Sequence, residues 1–160
     1  MSTTLARAPE SLRDEAPESS VPHIRRSLLW AGIAAVALYV IGDLVSGLLY
    51  DGYSFRDQAI SELAAFGSSV RPLMVTVILL HNALLVAFGL GVWWSATRKH
   101  LRWAGLVLVG VGVSGIPTHT VFAMSSRWME AGFNDTMHKA FTGIFTILIV
   151  AAIVPDTCVP

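Results

Sequence analysis

Residues 28–50 form a stretch of twenty-three residues that contains one charged side chain, Asp43, and no proline. A helix of roughly 20 residues is long enough to cross the hydrocarbon core of a bilayer, which is about 30 Å thick. The stretch therefore predicts a transmembrane helix. A carboxylate at the centre of a membrane costs about 2.5 kcal/mol or more, so we expect Asp43 to face protein or water rather than lipid.

Small and polar residues share one side of this predicted helix with Asp43. At helical spacing they are Gly32, Val36, Tyr39, Ser46, Gly47 and Tyr50. We therefore predict that this side packs inside a helical bundle and that the opposite, aliphatic side faces lipid.

The composition extends the same conclusion to the whole chain. Of its 160 residues, 54% are apolar and 14% are charged, whereas a typical soluble domain carries about 25% charged residues. We therefore predict a protein of the plasma membrane whose principal partner is the lipid bilayer. The eleven basic and eleven acidic residues balance each other, which argues against a nucleic-acid-binding surface.

Three further stretches have the length and hydropathy of transmembrane helices. Together with the first, they give predicted spans at about residues 28–50, 72–95, 103–124 and 137–154. After the first span, Ser54 and Asp57 have the spacing of a helix-capping pair, and residues 54–66 predict a short interfacial helix. The sequence thus predicts an all-α, polytopic transmembrane bundle of four spans in one domain, residues 28–154.

The segments outside the predicted bundle are polar or short. Residues 1–27 have few large apolar side chains and predict a disordered tail, and residues 155–160 form a short C-terminal tail. Basic residues cluster beside the predicted helix ends, at Arg25, Arg26, Arg98, Lys99 and Arg102. Because basic residues accumulate on the cytoplasmic side of membranes, we predict that both termini are cytoplasmic.

Glycines recur on one side of the third predicted span, at Gly105, Gly112 and Gly115. In lipid, small residues let helix backbones approach closely, and van der Waals contact is a main attraction between helices. We therefore predict that this side packs against another helix.

Titratable side chains lie on the inward sides of three predicted spans, in the outer half of the membrane. We predict that Asp43, His119 and His138 converge in an outward-opening polar pocket, with Glu62 near its rim. Imidazole and carboxylate ligands suit a divalent metal such as Zn²⁺, but no local ligand motif is present. The alternative for each histidine is a hydrogen-bonded residue that joins helices or ends one. No other cofactor is evident.

Three kinds of function remain open. A structural or accessory membrane protein needs only helix packing, and it would associate with a second copy or with another membrane protein. A metal-dependent intramembrane hydrolase would need a metal or a nucleophile, and its candidate catalytic residues are Asp43, Ser46, Glu62 and His81. A proton-coupled transporter of small solutes would use Asp43 and His81 as a relay and would have to dimerise to enclose a pathway.

Two segments resemble motifs of a known family. Residues 58–67 contain Ile-Ser-Glu-Leu-Ala-Ala, which is similar to an Ile-Ser-Glu-Leu-Gly-Ala motif, and residues 115–119 are similar to a Phe-Pro-Thr-Asp motif. Pro72 and residues 136–138 extend the match. On these residues the chain resembles, over roughly residues 28–154, the bacterial membrane family known as domain of unknown function 998.

The resemblance implies a multi-pass membrane protein and supplies no established reaction. The chain departs from the family pattern in two respects. His119 stands where members more often have an acid, and members usually have about six spans. With four spans, this chain would be a shortened member.

Overall fold

The structure, a computed structural model, describes residues 21–125 and 132–153. These residues form helices joined by turns, and no strand occurs among them. In chain order the helices are α1 (Val21–Leu49), α2 (Ile60–Leu63), α3 (Arg71–Ser95), α4 (Lys99–Thr120) and α5 (Phe133–Ile153). The predicted all-α fold is confirmed over this part of the chain.

Three of the helices, α1, α3 and α4, are long and apolar enough to cross a membrane. Their candidate spans are His23–Leu49, Arg71–Ser95 and Lys99–Thr120. α5 is 21 residues long and carries Asp135, His138 and Lys139 in its first two turns, and it is not among these candidates. The structure thus supports a membrane protein with three candidate spans.

Helix bounds differ from the prediction mainly at the starts. α1 begins at Val21, so residues 21–27, which the prediction placed in the tail, are helical. α4 and α5 each begin four residues before their predicted spans. These starts are polar, and a prediction based on hydropathy therefore misses them. The rest of the predicted tail, residues 1–20, and residues 154–160 lie outside the described residues.

The predicted interfacial helix is reduced to a single turn. The Ser54 hydroxyl donates to an Asp57 carboxylate oxygen at 2.7 Å, but the chain there forms a turn rather than a helix. The helical turn is α2, where Glu62 accepts the Ala59 N–H at 3.1 Å. Leu63 is fully buried, so α2 is held against the bundle.

The long helices form an antiparallel row in the order α1, α3, α4, α5. α3 packs against both α1 and α4, and α5 packs against α4. α2 lies where α1 and α4 finish and where α3 and α5 begin, and we call this the α2 end of the bundle. The opposite end carries Arg25, Arg98, Lys99 and Arg102, and we call it the basic end.

Small residues on α1 face α3. A Cβ built at Gly32 or at Gly42 would overlap side chains of α3. Ala35 is 1% exposed and Ser46 is fully buried, but Val36 is 62% exposed. The predicted inward side is therefore correct except at Val36. At that point the buried side of the helix passes through the neighbouring residue, Ala35, and Val36 faces outward.

The predicted glycine seam of α4 packs against α3 and is confirmed. A Cβ built at Gly105 would lie 2.7 Å from both the Gly89 carbonyl oxygen and the Trp93 backbone nitrogen. A Cβ built at Gly112 would lie 2.9 Å from a backbone carbonyl oxygen of α3, whereas Gly110 has no atom within 4 Å of such a position. The two backbones approach each other on the Gly105 side because no side chain separates them.

A small apolar core closes the α2 end. Its buried members are Leu63, Ala64, Val70, Met74 and Ile78. The Arg71 guanidinium donates to the Ala64 carbonyl and to the Thr120 carbonyl, the latter at 3.4 Å. It also lies 4.3 Å from the centre of the Phe66 ring. A cation beside the last carbonyls of α4 complements the helix dipole, so Arg71 joins α2 to the end of α4.

Gly105→Ala should destabilise the bundle, because the added Cβ would overlap two backbone atoms of α3. Overpacking of this kind costs about 1–3 kcal/mol, and we expect a lower thermal midpoint for the purified protein in detergent. Gly110→Ala makes the same change on the open side of α4 and should leave the midpoint unchanged or raise it, since Ala favours a helix over Gly by about 1 kcal/mol. Equal losses in the two variants would contradict the close approach at Gly105.

Candidate functional site

Two of the predicted site residues meet at the α2 end of the bundle. His119 lies in the last turn of α4 and His138 lies in the second turn of α5. Their ring centroids are 5.1 Å apart, and the ring planes are at 88°. The structure therefore brings these two histidines into direct contact, edge to face.

Backbone carbonyls fix the tautomer of both rings. Nδ1 of His119 lies 2.9 Å from the Gly115 carbonyl oxygen, and Nδ1 of His138 lies 3.1 Å from the carbonyl oxygens of both Thr118 and Phe122. A carbonyl oxygen only accepts hydrogen bonds, so each Nδ1 carries a hydrogen and donates it. In the neutral rings each Nε2 then keeps a lone pair that can take a proton, a hydrogen bond or a metal ion.

The end of α4 explains why a donor is needed at position 138. The last carbonyls of a helix have no partner inside the helix and must find one elsewhere. The Pro117 carbonyl accepts the N–H groups of Val121 and Phe122, at 2.9 and 3.0 Å. The Thr118 carbonyl is instead satisfied by His138 from α5. His138 thus joins α5 to α4 and at the same time faces His119.

The histidine pair lines a cavity of about 600 Å³. Each of the five helices contributes at least one residue to its lining. Its polar lining residues are Tyr39, Ser61, His119, His138, Lys139 and Thr142. Its apolar lining residues are Ala59, Ile60, Ile78, Met124 and Phe145. None of the described residues that line the cavity is an acid. A cavity of this size suits a small organic molecule, because ligand pockets commonly measure about 300–1,000 Å³.

The structure does not bring Asp43 and Ser46 into this cavity, since neither is among its described lining residues. One carboxylate oxygen of Asp43 and the hydroxyl of Ser46 are buried without a hydrogen-bond partner. A buried polar atom without a partner costs about 1–3 kcal/mol, so both side chains are costly where they stand. Their predicted roles in a metal site or in catalysis stay predictions.

The carboxylates of Asp43 and Glu62 both act on Tyr53, in the connection between α1 and α2. Burial raises the pKa of the Tyr53 phenol above its ordinary value, and the charges of Asp43 and Glu62 raise it further because they oppose a second negative charge. The Tyr53 ring packs edge-on against Phe55, with centroids 5.0 Å apart. Both acids therefore act on Tyr53, and neither is among the described lining residues of the histidine cavity.

The contacts of His81 and Glu62 are those of structural residues. Nδ1 of His81 donates to a backbone carbonyl of α1 at 3.0 Å, and its ring lies 4.9 Å from the Tyr39 ring, which ties α3 to α1. Glu62 accepts the N–H of Ala59, the residue before α2, and also the side-chain amide of Gln58, each at 3.1 Å. The proposed relay of His81 with Asp43 and the catalytic role of Glu62 stay predictions.

No group of three or more His, Cys, Asp or Glu side chains suited to a metal ion occurs in residues 21–125 and 132–153. His119 and His138 supply two neighbouring imidazoles. The divalent metal expected from the sequence stays a prediction.

Asp135 is the important residue whose role the sequence did not reveal. It lies in the first turn of α5 and is 4% exposed. Its carboxylate accepts the Ser125 N–H at 3.0 Å, the Ser125 hydroxyl at 2.8 Å and the Gly132 N–H at 3.0 Å. Ser125 and Gly132 flank residues 126–131, so Asp135 joins the two described parts of the α4–α5 connection. The sequence signal that could have revealed this role is the position of Asp135, three residues after Gly132, the residue that precedes α5. An acid at this position commonly caps the start of a helix.

Hydrogen bonds hold the pKa of Asp135 below its ordinary value. The bond from the Gly132 N–H is the largest cause, burial opposes it, and the two bonds from Ser125 add to it. A carboxylate whose pKa is lower in the folded state than in the unfolded state stabilises the fold above its ordinary pKa. That stabilisation is lost as the pH falls through the folded-state pKa.

Asp135→Asn should lower the free energy of unfolding at neutral pH by about 2 kcal/mol, because hydrogen bonds to a charged acceptor are lost. The wild type should also lose stability on acidification below the ordinary pKa of an aspartate, and the variant should lose less. Thermal unfolding in detergent between neutral and acidic pH measures both effects. Asp51→Asn, at an exposed acid after α1, is the matched control, and an equal loss in the two variants would contradict the role of Asp135.

Comparison with known proteins places the chain in a family. No curated protein and no solved structure matches it. A family model described as "Protein of unknown function (DUF998)" matches residues 33–159. This segment contains every described residue that lines the cavity and covers most of the chain. The chain therefore belongs to the DUF998 family of proteins of unknown function.

Proposed function

We propose that this protein is a multi-pass protein of the plasma membrane in which α1, α3, α4 and α5 all cross the bilayer. We further propose that it is an accessory protein whose cavity at the α2 end binds a small molecule on the outer side of the membrane. The observation that carries this proposal is the cavity of about 600 Å³ lined by the contacting His119 and His138.

The geometry of α5 supports a fourth span. From Met137 to Ile153 it has 17 residues, which extend about 26 Å at 1.5 Å per residue and reach the lower limit of spanning length, and Asp135 lies before this stretch. Its polar residues lie in the first two turns, where α4 also ends. Beyond them, Ile147 is 69% exposed and Val150 is 55% exposed. Such exposed aliphatic side chains are stable when lipid surrounds the helix.

The basic end supports the orientation. Arg25 of α1 donates to the Ser95 hydroxyl at the end of α3, at 3.2 Å. Arg98, Lys99 and Arg102 are exposed at the same end. This concentration of basic residues favours the cytoplasmic side for the basic end and the outer side for the cavity.

Labelling from outside the cell tests topology and cavity together. In a Cys158→Ser background, which removes the single native cysteine, single cysteines replace Ser69 at the α2 end, Thr97 at the basic end or Thr142 in the cavity; all three positions are exposed. A membrane-impermeant maleimide applied to intact cells should label positions 69 and 142 and spare position 97. Labelling at 97 would reverse the orientation, and an unreactive position 142 would contradict an outward-opening cavity.

A second candidate function is the binding of a divalent metal at His119 and His138. Both rings donate Nδ1–H to backbone carbonyls, an arrangement that commonly orients metal-ligating histidines and leaves Nε2 for the ion. The two imidazoles would supply two ligands, and water or a bound anion would supply the others.

Titration of the purified protein with Zn²⁺ should give saturable binding of about one ion per chain, as expected for one site. His119→Ala and His138→Ala should each abolish it, because a single imidazole is a weak ligand. His100→Ala, at an exposed histidine in the first turn of α4, should not change it. Undiminished binding in the first two variants would exclude this site.

A further inference from the structure

The charge of the cavity lining favours an anion. Lys139 supplies a cation to the lining. The two imidazoles already donate Nδ1–H to backbone carbonyls, and the Ser61 hydroxyl donates to the Met124 sulfur, so Lys139 is the group that can bind an anion. No acid occurs among the described lining residues. The neighbouring Glu62 has its two oxygens engaged by Ala59 and Gln58. A negatively charged ligand group therefore meets the ammonium group of Lys139, and charge-assisted hydrogen bonds of this kind are the stronger ones.

The cavity is elongated along the helices. On α5, Phe145 follows Lys139 by six residues and so lies about 9 Å further from the α2 end. On α1, Tyr39 lies ten residues before the end of the helix, or about 15 Å from it. The cavity thus runs from Lys139 and the histidines to aromatic rings that lie deeper in the bundle.

The cavity is flanked by two helices that are not packing neighbours. Tyr39 of α1 and Phe145 of α5 both line it, yet α1 packs on α3 and α5 packs on α4. Beside the cavity, Ile144 and Leu148 of α5 are 52% and 43% exposed. In a bilayer this flank would face acyl chains, so an apolar chain can reach the cavity from the side.

We propose that the cavity binds a single-chain amphiphile with an anionic head group. The carboxylate or phosphate is bound by Lys139, beside the histidine pair, and the acyl chain extends towards Phe145 and Tyr39. A cavity of about 600 Å³ accommodates one chain more readily than two. The inference rests on the proposed ligand-binding function of the same cavity and names its ligand class.

Binding of tritiated palmitate to the full chain in phosphatidylcholine nanodiscs tests this inference, with empty nanodiscs as background. Binding should saturate, and hexadecanol, which has the same chain without the charge, should compete at least tenfold more weakly than unlabelled palmitate or palmitoyl lysophosphatidate. The better competitor of the two anions identifies the head group as a carboxylate or as a phosphate.

Three substitutions assign the binding to this cavity. Lys139→Ala should weaken palmitate at least tenfold and leave hexadecanol unchanged, and Lys139→Arg should retain tight binding. Thr142→Phe should weaken both ligands because the ring fills the cavity. Lys99→Ala removes an exposed cation at the basic end and should change neither. Lys139 and Thr142 are exposed, so these changes leave the bundle core intact.

Equal affinity for palmitate and hexadecanol, an unaffected Lys139→Ala variant, or no saturable binding would each overturn the inference. If a cysteine at position 142 still reacts from outside in that case, the cavity is open and the proposed function stands without this ligand. If that cysteine is unreactive, the proposed function fails as well.

Discussion

The close backbone contact between α3 and α4 is the interaction on which the rest of the structure depends. A Cβ at Gly105 would lie 2.7 Å from backbone atoms of α3, so the two helices approach as closely as their main chains allow. Lipid tails are as apolar as aliphatic side chains, so burying such side chains between helices gains little free energy in a membrane. The close van der Waals contact between the two backbones supplies the attraction. It fixes α4 on α3, and the end of α4 carries His119 and the carbonyls that bind His138.

Polar side chains at the α2 end form hydrogen bonds with main-chain groups at or near the ends of helices. His138 satisfies a carbonyl of α4, Glu62 caps α2, and Asp135 binds both sides of the α4–α5 connection. A membrane offers little water to these groups, so each needs a partner within the protein. What remains for a ligand in the cavity is the ammonium group of Lys139 and the Nε2 lone pairs of the two histidines.

Asp43 and Glu62 are not among the described residues that line the histidine cavity. Asp43 and Glu62 act on Tyr53, whereas Lys139 and the histidines line the cavity. α1 and α4 each pack against α3, and Asp43 of α1 is not among the described residues that line the cavity of His119. The cavity lining is thus without an acid among its described residues, which favours an anionic ligand there.

The sequence by itself determined the helical membrane class, the glycine seam at Gly105 and Gly112, and most of the inward side of α1. These properties follow from length, hydropathy and helical spacing, which are local. Tertiary structure decided that His119 and His138 touch, that Asp43 is not a lining residue of their cavity, and that Asp135 binds Ser125 and Gly132. Those outcomes depend on which helices become neighbours and on which main-chain groups lack partners, and residue spacing within one helix contains neither.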